Sequence, residues 1–409
     1  MAATIANKVN AVTNKRTELV NVRAACKMSF LTVGSRSYAK EFLRPGLRNG
    51  QSFDFVITDT GKFGTSLDVT SNLTTLTERK VTVPISIGNV AVQTNAIEKV
   101  TDLDWDREVA TPQGNKLATG LVKQAVAEDI GKQNMAFVGK GFGPLAQAGQ
   151  SIQSLTDEKI YGFINPRVQG VLTSNGQSFV PLGAVKSISD VGALGTFGNV
   201  EYHSERFMPS VMVTSALASQ MASATVASYT PGSNGIDTIG LSSGVSATIP
   251  AGMPVWIEDV YACDTVGGVT TYPKAFIAVS ACAPSAVAVR SVDFAGEGTK
   301  EAAWADGSNI VTSALTGKAV TCPPADTYHC GIIRAEGSYE FDTLDQLDFN
   351  DDKSKTTSIA GVTMHENKDC DKIAGVNINR WDIVCVAGTV EPRVQAMVLV
   401  ADGINQVNS

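Results

Sequence analysis

"ERKVTVPISIGNVAV", residues 78–92, alternates with a period of two: Val81, Val83, Ile85 and Ile87 share one face, opposite Lys80, Thr82, Pro84 and Ser86. That period marks a strand with one apolar face. Pro84 has no amide hydrogen for a ladder, so the strand is expected at a sheet edge, or bent there, rather than central. Upstream, Phe53, Phe55 and Ile57 alternate with Asp54, Val56 and Thr58 and predict a second strand. The polar stretch between them, with "TDTGKFGTS" and "TSNLTTLTER", is too long for a tight hairpin turn. The pair therefore predicts a long two-stranded projection, marginal in water unless another surface covers it.

Downstream the period changes. "TDLDWDREVA", residues 101–110, sets Asp102, Asp104, Asp106 and Glu108 around Trp105 and Arg107. Thr111 and Pro112 then read as an N-cap and a first helical residue. Ala118, Leu121, Val122, Ala125, Val126 and Ile130 form one stripe of a 3.6-residue period. They predict a helix to about Met135, roughly 35 Å long. Asp129 falls inside that stripe, so the last turns are expected to leave the core.

"NMAFVGKGFGPL", residues 134–145, raises the question of a nucleotide loop through Gly139, Gly141 and Gly143. A dinucleotide fingerprint needs a strand before the glycines and a helix after them. Here the helix is read before them, Pro144 follows, and "LAQAGQSIQ" offers no convincing apolar stripe. The Lys-Ser/Thr pair of a P-loop is missing as well. A helix stop and a turn between domains is the expectation.

Residues 1–40 mix Lys, Arg, Asn and Thr with short apolar groups, enough for one marginal helix; an arm laid onto another surface is expected rather than a core element. Residues 157–225 look mixed, with a turn at Asn165-Pro166 and a strand around Val200 to Tyr202. Residues 226–335 are dominated by Thr, Ser, Val, Gly and Pro. Candidate strands "DTIGLSS", "PVWIEDVYA", "AFIAVSA", "AVAVRSV" and "NIVTSAL" suggest a small inserted β-barrel or sandwich. "SYEFDTLDQLDF", "RWDIVCVAG" and "RVQAMVLV" read as strands returning to the first sheet.

The totals narrow the function. The chain has 409 residues, 43% hydrophobic and 18% charged, which suits two or three folded domains. Its formal net charge of −7 lacks the basic excess of a dedicated nucleic-acid binder. No apolar run is long enough to span a bilayer, and the opening "MAATIANKVNAVTNKR" does not read as a signal peptide, so folding in the cytoplasm is expected. Seven scattered cysteines without a CxxC pair do not make a disulfide framework, and Asn72 to Thr74 is treated as a chance glycosylation triplet.

Chemical signals are sparse. His329, Cys330, Cys322, His365 and Cys370 could be imagined around zinc, but Cys-x7-Cys and His-x4-Cys are not zinc-finger spacings. The serines near His203 have no Asp partner evident in the sequence. The acids of "TDLDWDRE" and "DFNDDKSK" fit a solvated face or a helix-start preference better than catalytic carboxylates. No catalytic, cofactor or metal residues are assigned, and a metal-dependent hydrolase is the weakest reading. An extracellular β-rich adhesin or carbohydrate-binding protein is the alternative that residues 226–335 suggest.

The order of arm, ribbon, acidic lead-in, long helix and Gly-rich exit resembles the major coat proteins of tailed bacteriophages. The stretches "VPISIGNVAVQTNAIEKVTDLDWDREVATPQGNKLATGLVKQAVAEDI", "YGFINPRVQGVL", "FGNVEYHSERFMPSV" and "SATIPAGMPVWIEDVYACDTVGGVTTYPKAFIAVSA" are similar to coat proteins of short-tailed phages of the Salmonella type, over roughly residues 15–400. The resemblance implies an α+β capsid fold without an active site or cofactor. It implies an N-terminal arm at 1–45, an extended β-ribbon at 46–92 and a peripheral domain with a spine helix at 93–143. An axial and peripheral part at 144–225, an inserted β-barrel domain at 226–335 and returning strands at 336–409 complete the expectation.

Such a subunit would form hexamers and pentamers of an icosahedral virion shell, assembled in the host cytoplasm with scaffolding and portal proteins. It would meet packaged DNA by weak contact only and have no membrane partner. A ribbon with unpaired edges is an aggregation liability unless a partner buries it, and a repeated subunit contact supplies one. Phe53, Phe55 and Phe63 are expected as ribbon anchors. Arg44, Arg48 and Lys62 could pair with Asp102, Asp104 and Asp106 of a neighbouring copy; the plainer reading treats any one pair as rim charges contributing little.

Overall fold

The computed structural model describes residues 20–21, 24, 27–37, 52–58, 78–95, 109–174, 193–230, 236–242, 244–263, 269–290, 315–344, 354–359, 361–371 and 376–403. Near the N-terminus lie helix α1 (Ser29–Thr32) and strand β1 (Ser35–Arg36), then β2 (Ser52–Thr58), β3 (Glu78–Asn95) and the long helix α2 (Thr111–Asp129). The chain continues through β4 (Met135–Gly139), α3 (Gly143–Gln153), β5 (Ile160–Ile164), α4 (Pro166–Ser174), β6 (Ala193–Phe197), β7 (Val200–Ser204), β8 (Ser210–Val213) and α5 (Ser215–Met221). Next come β9 (Val226–Thr230), β10 (Ile236–Leu241), β11 (Pro254–Cys263), β12 (Val269–Ile277), β13 (Val287–Arg290) and β14 (Val320–Thr321). The last part is all strand and short turn: β15 (Asp326–Ala335), β16 (Tyr339–Thr343), β17 (Ser354–Ile359), β18 (Val362–Asp371), β19 (Val376–Thr389) and β20 (Gln395–Ala401). The fold is mixed α+β and rich in strands.

One seven-stranded sheet runs β1-β16-β19-β18-β17, with β3 on β19 and β2 on β3. Pro84 marks a joint in it. The β2 ladder covers Glu78 to Pro84 of β3, and the β19 ladder begins at Ile85 and runs to Asn95. Among the described residues each half of β3 has one strand partner, which is how a proline is accommodated in so long a strand.

Helix α2 lies on this sheet. Leu117, Ala118, Leu121, Val122, Ala125 and Val126 pack with Tyr339, Phe341, Val362, Met364, Trp381, Ile383 and Cys385. Each buried Leu or Val there stabilises by about 1.5–3 kcal/mol. Both ends of the helix differ from the sequence expectation. Thr111 is not a cap, because Ala110 before it is already helical with φ −63° and ψ −48°. The helix stops at Asp129 rather than near Met135: Ile130 turns to ψ 128° and Gly131 takes φ +96°, a backbone that favours glycine. Asp129 itself does not leave the core but is 1% exposed, with Thr389 Oγ1 donating to its Oδ1.

The N-terminal segment also differs from expectation. Val20, Ala24, Met28, Phe30 and Leu31 are fully buried in the same cluster as α2. Val20, Ala24, Met28 and Leu31 recur at helical spacing, and a marginal helix gains its stability from such packing rather than from propensity.

The second seven-stranded sheet runs β4-β20-β15-β5-β7-β6, with β8 on β15. Its strand β20 shows why both faces are covered. Met397, Leu399 and Ala401 point to a core shared with α5 and the small sheets, whereas Ala396, Val398 and Val400 point to one shared with α3 and α4. Of the three late strands expected to complete the first sheet, β16 and β19 do so and β20 joins this second one. β9, β10 and β13 form one three-stranded sheet and β11, β12 and β14 another. Residues 326–335, read with the insertion, belong instead to the second large sheet as β15. "NIVTSAL", apart from its last residue, lies outside the described residues.

Two glycines test this packing with opposite signs. A Cβ on Gly331 of β15 would sit 2.7 Å from Ile164 Cγ2 and 2.9 Å from the Phe163 carbonyl oxygen, whereas one on Gly170 of α4 would meet nothing within 4 Å. Gly331→Ala should destabilise by about 1–3 kcal/mol and Gly170→Ala should stabilise by about 0.5–1 kcal/mol, read from urea midpoints.

Candidate functional site

The ribbon predicted from the sequence is present as an antiparallel pair. Phe53 faces Val83 and Phe55 faces Val81 in register. At its base, Val83 and Ile85 are buried with Leu344, Val384, Val386 and Val390. Beyond that base, β2 has β3 as its sole strand partner among the described residues. Arg44, Arg48, Lys62, Phe63, Asp102, Asp104 and Asp106 lie outside the described residues.

A second feature escaped the sequence reading. Arg334 on β15 is fully buried, and its guanidinium carbon lies 4.2, 4.5 and 5.0 Å from the ring centroids of Tyr339, Phe163 and Phe30. Its Nη2 donates to the carbonyl oxygens of Phe30 (2.6 Å) and Val33 (3.1 Å) and to Ser35 Oγ (3.2 Å). The cation thus ties residues 30–35 to the middle of the fold. Burial raises the carboxyl of Asp129 above its ordinary range, against the opposing pull of Lys132 and Arg334. Burial likewise lowers the ammonium of Lys132, against the pull of Asp129. A lone Arg in an apolar strand carries no sequence signal of such a cage; three aromatics distant in sequence had to converge on it.

The glycine loop reverses the expected order. Met135–Gly139 is a strand parallel to β20, and α3 starts at Gly143, with Leu145, Ala148 and Ile152 buried beneath it. The stripe was missed because small residues, Ala148 and Gly149, carry half of it. Strand, glycines and helix therefore do come in the dinucleotide order. The donors do not follow, since Gly143 N–H is directed to the Lys140 carbonyl oxygen and Pro144 has no N–H.

The histidines are held apart. His365 Nδ1 meets Thr356 Oγ1 at 3.0 Å and its Nε2 meets the Leu344 carbonyl oxygen at 3.1 Å, in the first sheet. His329, in the second, has Nδ1 2.8 Å from Ser210 Oγ and Nε2 3.8 Å from Asp402 Oδ2. That line of Ser, His and Asp was invisible in sequence. Ser210 and His329 are cross-strand partners, so sheet pairing accounts for their contact, and 3.8 Å is beyond a hydrogen bond. Burial pushes the Cys330 thiol up and Cys322 to about 11, which disfavours thiolate.

No protein-family model matches the chain, and no curated protein matches it. Among solved structures it is similar to one described as the head structure of Helicobacter pylori bacteriophage KHP40, at TM-score 0.43 and 8% identity, covering 91% of this chain and 88% of that one. A Mycobacterium phage Che8 structure gives 0.40 and 9%, covering 90% of each chain. A virus-like particle from Pyrococcus furiosus gives 0.35 and 10%, covering 92% and 97%.

Removing the buried cation should be costly. Arg334→Met is expected to lose about 3–5 kcal/mol in urea unfolding and to make residues 29–36 an early site of limited proteolysis, with Arg334→Lys intermediate. His329 gives a pH dependence. Burial holds its ring below the ordinary imidazole range, against the pull of Asp402. The unfolded chain therefore takes up the proton first, and stability present above about pH 6.5 is lost as the pH falls from there through the lower value of the folded ring. Thermal midpoints should drop between about pH 7 and pH 5, and His329→Gln should flatten that slope.

Proposed function

We propose that this chain is the major coat subunit of a tailed bacteriophage, a structural protein that assembles copies of itself into an icosahedral head around double-stranded DNA. The observation that carries this reading is the β2–β3 ribbon. It extends a body strand past Pro84 into a two-stranded arm that, among the described residues, has no further strand partner. A hairpin of this kind is marginal by itself, and an identical neighbour is a partner available in every copy.

The finer reading follows the short-tailed Salmonella-phage type. Residues 1–45 act as an arm anchored in the body core through Val20, Ala24, Met28, Phe30 and Leu31, 46–92 as the ribbon, 93–143 with the spine helix as the peripheral domain, 144–225 as the axial and peripheral part, and 336–409 as returning strands of both. The β-rich region within 226–335 is the inserted domain. Phe53, Phe55 and Phe63 seat the ribbon on a neighbour, and Arg44, Arg48 and Lys62 meet Asp102, Asp104 and Asp106 across that contact. Scaffolding and portal proteins join during assembly in the host cytoplasm. The acidic chain touches packaged DNA only weakly, which suits a wall from which the genome must leave. No catalytic step is required of it.

Negative-stain microscopy of the purified protein should show closed shells, sheets or tubes. Phe55→Pro removes a ladder amide from the middle of the ribbon while leaving the body core intact. It should cut particle yield at least about tenfold, since about 1.4 kcal/mol per contact is a tenfold change in association. A wild-type protein that stays monomeric under all assembly conditions, or undiminished shells from the variant, would sink the proposal.

A further inference from the structure

Among the described residues, three neighbouring side chains keep four buried polar atoms without a hydrogen-bond partner: Asp129 Oδ2, Tyr339 Oη, and Arg334 Nε and Nη1. Asp129 is 1% exposed and the other two are fully buried. Thr389, whose hydroxyl holds Asp129, is the cross-strand partner of Tyr339, and the Arg334 guanidinium carbon lies 4.2 Å from the Tyr339 ring centroid, so the three side chains converge on one place. Their remaining polar atoms are fixed. Thr389 Oγ1 donates to Asp129 Oδ1, and Arg334 Nη2 serves Phe30, Val33 and Ser35.

A buried polar group left unpaired is costly, and interiors meet that cost with ordered water, on the order of one per 27 residues. The chemistry of the three groups selects the ligand. An anion would be repelled by a carboxylate, and a metal ion would be repelled by the Arg334 guanidinium. A neutral molecule with both donors and acceptors fits: its oxygen can accept from Arg334 and Tyr339 while its own hydrogen goes to Asp129.

We propose that Asp129, Arg334 and Tyr339 form an internal water-binding site, in which at least one ordered water accepts from Arg334 and Tyr339 and donates to Asp129 Oδ2. The site joins the end of α2 to β15 and β16, and through Arg334 to the N-terminal segment. It does not depend on the coat-protein reading, because it concerns the folded subunit alone.

A high-resolution crystal or cryo-electron microscopy map of the full chain tests it. The expected result is a peak about 2.7–3.2 Å from Asp129 Oδ2 and from Tyr339 Oη or an Arg334 N–H. In Tyr339→Phe, which keeps the ring of the cage, that peak should weaken or vanish. In urea unfolding, Tyr339→Phe and Asp129→Asn should be non-additive, the double variant losing less than the sum of the singles. Direct contact among the three side chains with no peak between them would overturn the proposal, and so would strictly additive losses.

Discussion

Placing a positive charge out of reach of bulk solvent constrains everything around Arg334. An isolated charge in such a place costs many kcal/mol, so the fold must supply donors' partners, ring faces and a counter-charge at one point. It draws them from four separate regions: the carbonyls before β1, Phe163 of β5, Tyr339 of β16 and Asp129 at the end of α2. Those regions cannot shift independently once the cage is closed. The ring pairs Phe30–Phe163 at 5.1 Å and Phe30–Tyr339 at 5.7 Å are both edge-to-face, which brings the N-terminal segment against both large sheets at once.

From that point the layering follows by alternation. Strand β15 presents Tyr328 and Cys330 to the core under the small sheets and Ile332 on the same side to the α2 core, while Ile333 and Ala335 face α3 and α4. One strand thereby contributes to three clusters without leaving its period of two. Gly331 between them has no side chain because the neighbouring strand and β20 crowd that position. The small sheets share their core with β15 and β20 through Tyr328, Cys330, Met397 and Leu399, so they are seated on the second sheet rather than hung from a linker.

Period-two strands and the main helix were legible because their apolar residues are large and regular. Val81, Val83 and Ile85 announce β3, and Leu121, Val122 and Val126 announce α2. What stayed hidden has a common physical cause: burial by small or polar groups. Ala148 and Gly149 in α3 look too weak to be a stripe, Val20 and Ala24 look like parts of a loose arm, and Asp129 looks like a surface residue. Arg334 and the Ser210–His329 contact are long-range events that no local pattern encodes. Of the residues proposed for subunit contact, only Phe53 and Phe55 have a described backbone, and their places opposite Val83 and Val81 agree with the strand pattern that nominated them.

Pro84 sits where one ladder hands over to the next. Having no N–H, it donates to neither neighbour, so a tilt of the ribbon against the body at this residue breaks no hydrogen bond that it donates. Identical subunits on a closed curved lattice meet their neighbours at slightly unequal angles. If the chain assembles as proposed, a swivel of that sort would let a single sequence satisfy several such angles.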